Sequence, residues 1–233
     1  APTITYQTDY LVLTRGETMP SALQAIFGGG AVASFTVTPE LPDGLNFTNG
    51  TIFGTPTVNS TLVQYNITAL NNGGSDYFLL NITILEPVAI LDAESTYFEL
   101  IRSVDYMNLT LNNTGGMAAT WEIEPSLPDG LIFDNGTITG TPTVNASLAS
   151  YTIWANNTGG SDSIIINIKI LEPVANISYR RTDFTVVNGQ GSLYISPDIL
   201  GGNPETWEFE PELPSGLTCL LYTSDAADDW FCV

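Results

Sequence analysis

The side chains that could do chemistry in this sequence are mainly carboxylates, because the chain contains no histidine. Histidine is the commonest general base, and a thiol needs activation to act as a nucleophile. The acids that recur at a fixed spacing are Asp43 and Asp129, Asp76 and Asp162, and Glu86 and Glu172. An acid that returns at the same place in successive copies of a repeat is explained more simply by the fold. We therefore predict no catalytic site and no enzyme activity.

Calcium binding is the alternative chemistry, because this ion prefers carboxylate and amide oxygens. Such oxygens are concentrated in corresponding loops and strands of two copies of the repeat. The candidate ligands are Asn71, Asn72, Asp76, Glu86, Asn156, Asn157, Asp162 and Glu172. Asn and Gly together also form ordinary turns. We expect no other cofactor.

These acids belong to a tandem repeat of 86 residues. The string LPDGL begins at Leu41 and again at Leu127, and the variant LPSGL begins at Leu213. A period of this length indicates one small domain per copy. We predict repeat 1 over residues 1–87, repeat 2 over 88–173 and a truncated repeat 3 over 174–217. The start and the end both suggest a fragment of a longer protein.

The last residues, 218–233, do not follow the repeat. They read TCLLYTSDAADDWFCV and resemble translated sequencing-adapter sequence. We therefore expect this tail to be non-native. It contains both cysteines, Cys219 and Cys232, so the repeats themselves have no disulfide framework.

The charge balance excludes some partners. The formal net charge is −20, with 25 acidic and five basic residues. Nucleic acid would be repelled by such a surface, and so would anionic lipid headgroups. No stretch has the roughly 20 apolar residues that a membrane-spanning helix needs. We predict no nucleic-acid partner and no direct membrane insertion of this fragment.

Alternating hydrophobicity predicts strands rather than helices. The clearest run places Ile164, Ile166 and Ile168 on one face of a strand. Asn49-Gly50 and Asn135-Gly136 have strand-like flanks, and Asn-Gly there predicts a type I′ hairpin. In LPDGL, we expect proline at the second position of a turn and glycine at its last. The sequence predicts an all-β fold of tandem sandwiches, arranged as beads on a string.

Aromatic residues at corresponding positions suggest how each sandwich is filled. Phe35, Trp121 and Trp207 occupy equivalent places before the LPDGL or LPSGL turn. We interpret them as large core side chains between the two sheets. Tyr65 and Tyr151 are candidates for a tyrosine corner at the start of a strand.

Several motifs together resemble the putative-Ig family, which is related to dystroglycan-type cadherin-like domains. They are LPDGL, an Asn-Gly-Thr-Ile hairpin, Gly-Thr-Pro-Thr, and Tyr-x-Ile-x-Ala followed by Asn-x-Gly-Gly-Ser. The resemblance covers residues 41–87 and 127–173 well. It implies immunoglobulin-like or cadherin-like sandwiches in secreted or surface proteins with adhesive or spacer roles. It does not support the calcium site strongly, because asparagine replaces the central acid of the cadherin Ala-x-Asp-x-Gly segment at Asn71 and Asn157.

The short Leu-Glu-Pro-Val joints predict a semi-rigid array, because a proline stiffens each linker. Each repeat would add on the order of 30 to 40 Å at the usual strand rise. We therefore predict an adhesive or structural stalk of an extracellular or cell-surface protein. The partners we expect are neighbouring repeats, with a surface protein or glycan as ligand. The alternatives are a carbohydrate-binding accessory module of a secreted hydrolase and a calcium-rigidified adhesin.

Two further kinds of surface site follow from composition. N-glycosylation motifs recur at equivalent positions in Asn49, Asn59, Asn135 and Asn145. Tyrosines that would be exposed are concentrated in the first halves of the repeats, and they could form a ligand surface. They are Tyr6, Tyr10, Tyr97, Tyr106, Tyr179 and Tyr194.

Overall fold

The computed structural model of the protein describes residues 1–220 and 231–232. Most of the predicted tail therefore lies outside the described residues, and the proposal that it is non-native stays a prediction. The described part of the chain contains strands and turns but no helix. The all-β prediction is confirmed.

Repeat 1 contains nine strands, most of them four or five residues long. They are β1 (Pro2–Thr5), β2 (Tyr10–Thr14), β3 (Leu23–Gln24), β4 (Ile26–Gly29), β5 (Ser34–Thr38), β6 (Leu45–Thr48), β7 (Thr51–Gly54), β8 (Ser60–Asn71) and β9 (Gly74–Leu85). One sheet has the order β2-β9-β8-β5, and a second has the order β3-β7-β6. Strands β1 and β4 form a separate pair.

Repeat 2 has the same plan. Its strands are β10 (Leu91–Asp92), β11 (Tyr97–Ile101), β12 (Met107–Thr110), β13 (Asn112–Asn113), β14 (Thr120–Glu124), β15 (Leu131–Asp134), β16 (Thr137–Gly140), β17 (Ala146–Asn157) and β18 (Gly160–Leu171). The sheet order β11-β18-β17-β14 matches β2-β9-β8-β5, and β12-β16-β15 matches β3-β7-β6. The repeats are therefore two sandwiches of one topology.

The described residues after repeat 2 form fewer strands. They are β19 (Asn176–Ser178), β20 (Asp198–Leu200), β21 (Cys219–Leu220) and β22 (Phe231–Cys232). Repeat 3 nevertheless keeps one backbone feature of the others: a cis peptide bond precedes Pro39, Pro125 and Pro211, which are 86 residues apart.

One pairing in each sandwich is parallel. Strand β2 runs parallel to β9, with Tyr10 opposite Asn81 and Thr14 opposite Leu85. Strand β11 runs parallel to β18 in the same way. The first half of each repeat is thereby joined to the last strand of the same repeat, immediately before the linker to the next one.

Each sandwich has its own core. Ile67, Leu80 and Ile82 are fully buried in repeat 1, and Ile153 and Ile166 are fully buried in repeat 2. The predicted alternation is confirmed, because Ile165 is 51% exposed between half-buried Ile164 and buried Ile166. Phe35 and Trp121 pack against these cores as predicted, although both remain half-buried.

The hairpin prediction holds, but the LPDGL turn is shifted by one residue. Asn49 and Gly50 both have positive φ, 48° and 75°, as a type I′ turn requires. In LPDGL, the Leu45 N–H donates to the Pro42 carbonyl at 3.0 Å. Proline therefore opens this turn, and Gly44, with φ 88°, is its third residue rather than its last. Positive φ at that third position is what favours glycine there.

The tyrosine-corner prediction is wrong about position. Tyr65 lies in the middle of β8, and Tyr151 lies in the middle of β17. Both are buried, with 3% and 4% exposure. They act as core side chains of a central strand, because residues at alternate positions of β8 and β17 point into the sandwich.

Candidate functional site at the repeat junction

The linker between repeats 1 and 2 begins at a salt bridge between two residues of repeat 1, Arg15 and Glu86. Arg15 follows β2 directly, and Glu86 follows β9 directly. Because β2 and β9 are parallel and in register, their ends coincide, and the Arg15 N–H donates to the Leu85 carbonyl at 2.8 Å. The Arg15 guanidinium then reaches the Glu86 carboxylate through two nitrogens, with Nε 2.9 Å from Oε2 and Nη2 bonded to Oε1.

The carboxylate of this pair is the more buried partner. The Glu86 side chain is 9% exposed, whereas that of Arg15 is 37% exposed. The Met117 N–H of repeat 2 also donates to Glu86 Oε1 at 3.4 Å. The hydrogen bond from Arg15 is the main reason that the pKa of Glu86 lies below its usual value, with burial opposing it. The charged form of Glu86 is thus the one this site stabilises.

Repeat 2 holds the linker backbone as well. The Glu86 N–H donates to Thr158 Oγ1 at 2.8 Å, and Asn157 Nδ2 donates to the Pro87 carbonyl at 2.7 Å. The Gly116 N–H donates to the Val88 carbonyl at 3.0 Å. We call this set of contacts around Glu86, Pro87 and Val88 the junction clamp. It lines a cleft of about 480 Å³.

Glycine is required where the linker lies against repeat 2. A Cβ at Gly116 would lie 1.8 Å from the Pro87 carbonyl oxygen, and one at Gly159 would lie 1.9 Å from the Glu86 carbonyl oxygen. Both contacts are with backbone, which no rotamer change relieves. The Gly-Gly pairs 115–116 and 159–160 therefore have two roles. They form turns, and they leave space for the backbone of the preceding linker, which we call the glycine socket.

Substitution of Gly116 tests this socket. We expect Gly116→Ala to displace the linker and to raise amide hydrogen exchange across residues 86–91, because the added methyl group cannot occupy the space held by Pro87. Gly30→Ala is the matched control at the equivalent place in repeat 1. There a Cβ would meet only the Asn71 side-chain amide, at 2.8 Å, which can move. Equal exchange in the two variants would contradict a socket at Gly116.

The next junction repeats the salt bridge in a more open form. Arg102 Nη2 lies 2.6 Å from Glu172 Oε1, and the two side chains are 31% and 35% exposed. Among the described residues, the buried Arg102 Nε has no hydrogen-bond partner. A Cβ at Gly202 would lie 2.0 Å from the Pro173 carbonyl oxygen, so the glycine socket recurs too. The salt bridge and the glycine socket therefore recur at the next junction, and the carboxylate of the salt bridge is more buried between repeats 1 and 2.

Sequence reasoning missed the arginines of these pairs. Arg15 and Arg102 are 87 residues apart, whereas the glutamates are 86 apart. The one-residue difference hides the correspondence from a search at a fixed period. The signal that could have found it is the shared spacing of Tyr10 with Tyr97, which begin the two parallel strands.

The predicted calcium ligands are placed in several separate hydrogen bonds. Asp76 Oδ2 accepts the Ile4 N–H at 2.9 Å, and Asp162 Oδ2 accepts the Leu91 N–H at 2.8 Å. Asn71 and Asn157 each accept a hydrogen bond from a glycine N–H within their own turn. Asn156 Nδ2 donates to Glu122.

Asn72 is exposed beside Gly73, while Glu86 and Glu172 are paired with arginine. Within the part of the chain that the structure describes, no three Asp, Glu, Cys or His residues form a metal-binding group. Calcium binding stays a prediction.

The recurring glycosylation motifs lie at the surface. Asn49 and Asn135 are exposed in the type I′ turns, and Asn59 and Asn145 are exposed just before β8 and β17. All four are therefore accessible to a transferase. Their occupancy stays a prediction.

One of the tyrosines predicted to be exposed is buried. Tyr6 is 7% exposed, and its hydroxyl donates to the Gly50 carbonyl at 2.7 Å. Burial raises the pKa of Tyr6 to about 12. Tyr6 follows β1, where alternation turns it inward against Phe78. Of the others, Tyr179 is half-buried, and the exposed ones are Tyr10, Tyr97, Tyr106 and Tyr194.

No helix in residues 1–220 and 231–232 is long and apolar enough to cross a bilayer. A search of curated protein sequences found no match. Among solved structures, the chain is similar to the titin domains Z1Z2 in complex with telethonin, with 12% identity and a TM-score of 0.37. That match covers 72% of this chain and 96% of the titin chain.

Two longer structures are also similar. The N-terminal four Ig domains of Dscam1 isoform 9.44 are 14% identical, with a TM-score of 0.46, over 72% of this chain and 45% of theirs. The insect immune protein hemolin is 12% identical, with a TM-score of 0.43, over 72% of this chain and 47% of its own. The chain thus spans less than half the length of either.

The family comparison covers most of the two complete sandwiches. The sequence profile of the family described as "Putative Ig domain" matches residues 1–84 and 89–171, which together are more than half of the chain. The two matched segments correspond to the two sandwiches of identical strand order. The chain belongs to the Putative Ig domain family and carries its domain in tandem.

Proposed function

We propose that this chain is a non-catalytic structural and adhesive stalk of an extracellular or cell-surface protein. The observation that carries the proposal is the junction clamp. In a flexible string of independent domains, the linker would need no contacts with the repeat that follows it. Here Glu86 is held by Arg15 of repeat 1 and by Met117 and Thr158 of repeat 2.

The clamp suits a spacer because it opposes bending at the joint. Pro87 restricts the backbone of the linker. Hydrogen bonds from repeat 2 fix the Glu86 N–H and the carbonyls of Pro87 and Val88. The strong negative charge favours solubility and keeps acidic stalks apart from one another. Location outside the cell is part of the proposal, supported by the exposed glycosylation motifs.

Small-angle X-ray scattering of the whole chain tests the stalk. We expect an elongated particle, and we expect the same profile in calcium and in EDTA, because the clamp is made of protein groups alone. Gly116→Ala should broaden the distribution of interatomic distances, and Gly30→Ala should not. A compact particle would contradict the stalk. A profile that extends only in calcium would instead favour the calcium-rigidified adhesin.

A further inference from the structure

The outer face of the larger sheet of repeat 1 differs from the rest of this acidic chain. On β2, β5, β8 and β9, alternate side chains point away from the core. We call this set the neutral face. Its members are Tyr10, Val12, Thr14, Ser34, Thr36, Thr38, Gln64, Asn66, Thr68, Leu70, Ser75, Tyr77, Leu79, Asn81 and Thr83.

No side chain of the neutral face is charged, and all of these strands lie in the described part of the chain. The net charge of the chain is −20, so such a face is unusual for this molecule. The equivalent face of repeat 2 carries the charged residues Glu99, Glu122, Glu124 and Lys169. The absence of charge is therefore a property of repeat 1 and is not imposed by the fold.

The neutral face also exposes large side chains. Tyr77 is 61% exposed, Val12 is 51%, Leu70 is 48% and Leu79 is 39%. Tyr77 and Leu79 lie two residues apart on β9, on the same side of the sheet. Tyr10 lies opposite Asn81 on the same face, about 13 Å along the strand from Tyr77 at the usual rise. An extended ligand would meet both rings.

The polar side chains between the rings are already oriented. Gln64 Nε2 donates to Asn81 Oδ1 at 3.3 Å, and Asn81 Nδ2 donates to the Asp9 carbonyl at 3.3 Å. Thr68 Oγ1 donates to Asn66 Oδ1 at 3.2 Å. Ordering these groups before binding lowers the entropic cost of using them in recognition.

We infer that the neutral face binds an uncharged polysaccharide. Tyrosine rings can stack on the apolar faces of sugars, and amides and hydroxyls can both donate to and accept from sugar hydroxyls. A charged polymer would gain nothing from this face. The inference deepens the proposed function, since it gives the stalk a ligand class and a binding surface.

A protein partner fits the composition less well. Protein interfaces are enriched in aromatic residues, Arg and Met and depleted in Ser. This face has exposed tyrosines, but it lacks Arg and Met among its described residues and contains Ser34 and Ser75. A second copy of the chain would also bring together two molecules of net charge −20. Neither the interface composition nor charge repulsion argues against a neutral glycan.

Affinity electrophoresis of the whole chain in native gels tests the inference. The protein should come from a host without N-glycosylation, because Asn66 and Asn81 lie in glycosylation motifs on the face. The probes are soluble mixed-linkage β-glucan, xyloglucan and galactomannan, with alginate as a charged comparison. We expect retardation by at least one neutral glycan and none by alginate.

The variants Tyr77→Ala and Thr68→Glu should each weaken binding about tenfold, the size of effect typical of a central contact residue. Tyr106→Ala is the matched control, because Tyr106 is 67% exposed but lies in repeat 2, away from the face. Thermal unfolding of all three variants should match that of the parent chain, since none of these side chains is in the core.

Three results would overturn the inference: no retardation by any neutral glycan, equal retardation of the parent chain and the face variants, or self-association that Thr68→Glu abolishes. The last would assign the face to a second copy of the chain. Failure here leaves the scattering profile of the stalk unchanged, so it is distinguishable from failure of the proposed function.

Discussion

Replacing Arg15 by methionine is expected to destabilise repeat 1 more than the loss of an exposed ion pair would, because it leaves the buried carboxylate of Glu86 without its cation. Glu86 would keep its carboxylate in a site that is 9% exposed and would retain only the weak hydrogen bond from Met117. Methionine keeps the apolar stem of arginine, so lost packing contributes little. Urea denaturation of the whole chain, with hydrogen exchange to assign the transition to repeat 1, measures the effect.

Arg102→Met provides the matched control. Its partner Glu172 is 35% exposed, and solvent can replace the lost cation. We expect a loss below about 1 kcal/mol, as for surface pairs. Adding Glu86→Leu to Arg15→Met should restore part of the stability, because it removes the stranded charge. If the two arginine variants lose equal stability, burial of Glu86 does not control the strength of the clamp.

The same pair should make stability depend on pH. The folded-state pKa of Glu86 lies below its ordinary value of 4.5. A depressed carboxyl pKa contributes stability that is present above the unfolded pKa and is lost as pH falls through the folded pKa. The stability difference between the parent chain and Arg15→Met should therefore be constant near neutral pH and shrink on acidification, as the carboxylate takes up a proton first in the variant and then, at its depressed pKa, in the parent chain. A difference that persists unchanged at low pH would show that charge is not its source.

Local patterns in the sequence predict the sandwich well because strands and two-residue turns depend on neighbouring residues. Alternation at Ile164 to Ile168 reports directly which side of a strand is buried, and Asn49-Gly50 requires a particular backbone. The LPDGL turn shows the limit of such reasoning. Its composition predicts a turn, but the hydrogen bond that closes it begins at Pro42, one residue later than expected.

The junction clamp could not be predicted in the same way, because it depends on which strands are neighbours. Arg15 and Glu86 are 71 residues apart and meet only because β2 runs parallel to β9. The sequence shows Glu86 as a linker residue and Arg15 as an isolated cation. The neutral face was hidden for the same reason, since its members come from four strands that are adjacent only in the folded sheet.

The parallel pairing also predicts how the stalk responds to force. Tension along the chain enters before β2 and leaves after β9, so it shears this pair along its length and loads all of its hydrogen bonds together. The Arg15 N–H and the Asp9 carbonyl face β9, so alternation places the Leu11 N–H toward β9 and the Val12 N–H toward solvent. We expect Leu11→Pro to lower the unfolding force of repeat 1 severalfold, because proline cannot donate to the ladder.

Two controls separate this effect from others. Val12→Pro adds the same ring to the same strand but removes an N–H that faces solvent, so it should lower the force much less. Leu11→Ala removes the half-buried side chain and keeps the backbone donor. Single-molecule pulling of the whole chain measures all three, with repeat 2 as an internal reference. If Leu11→Pro and Val12→Pro lower the force equally, the β2–β9 hydrogen bonds do not carry the load, and the mechanical barrier must lie in another part of the sandwich.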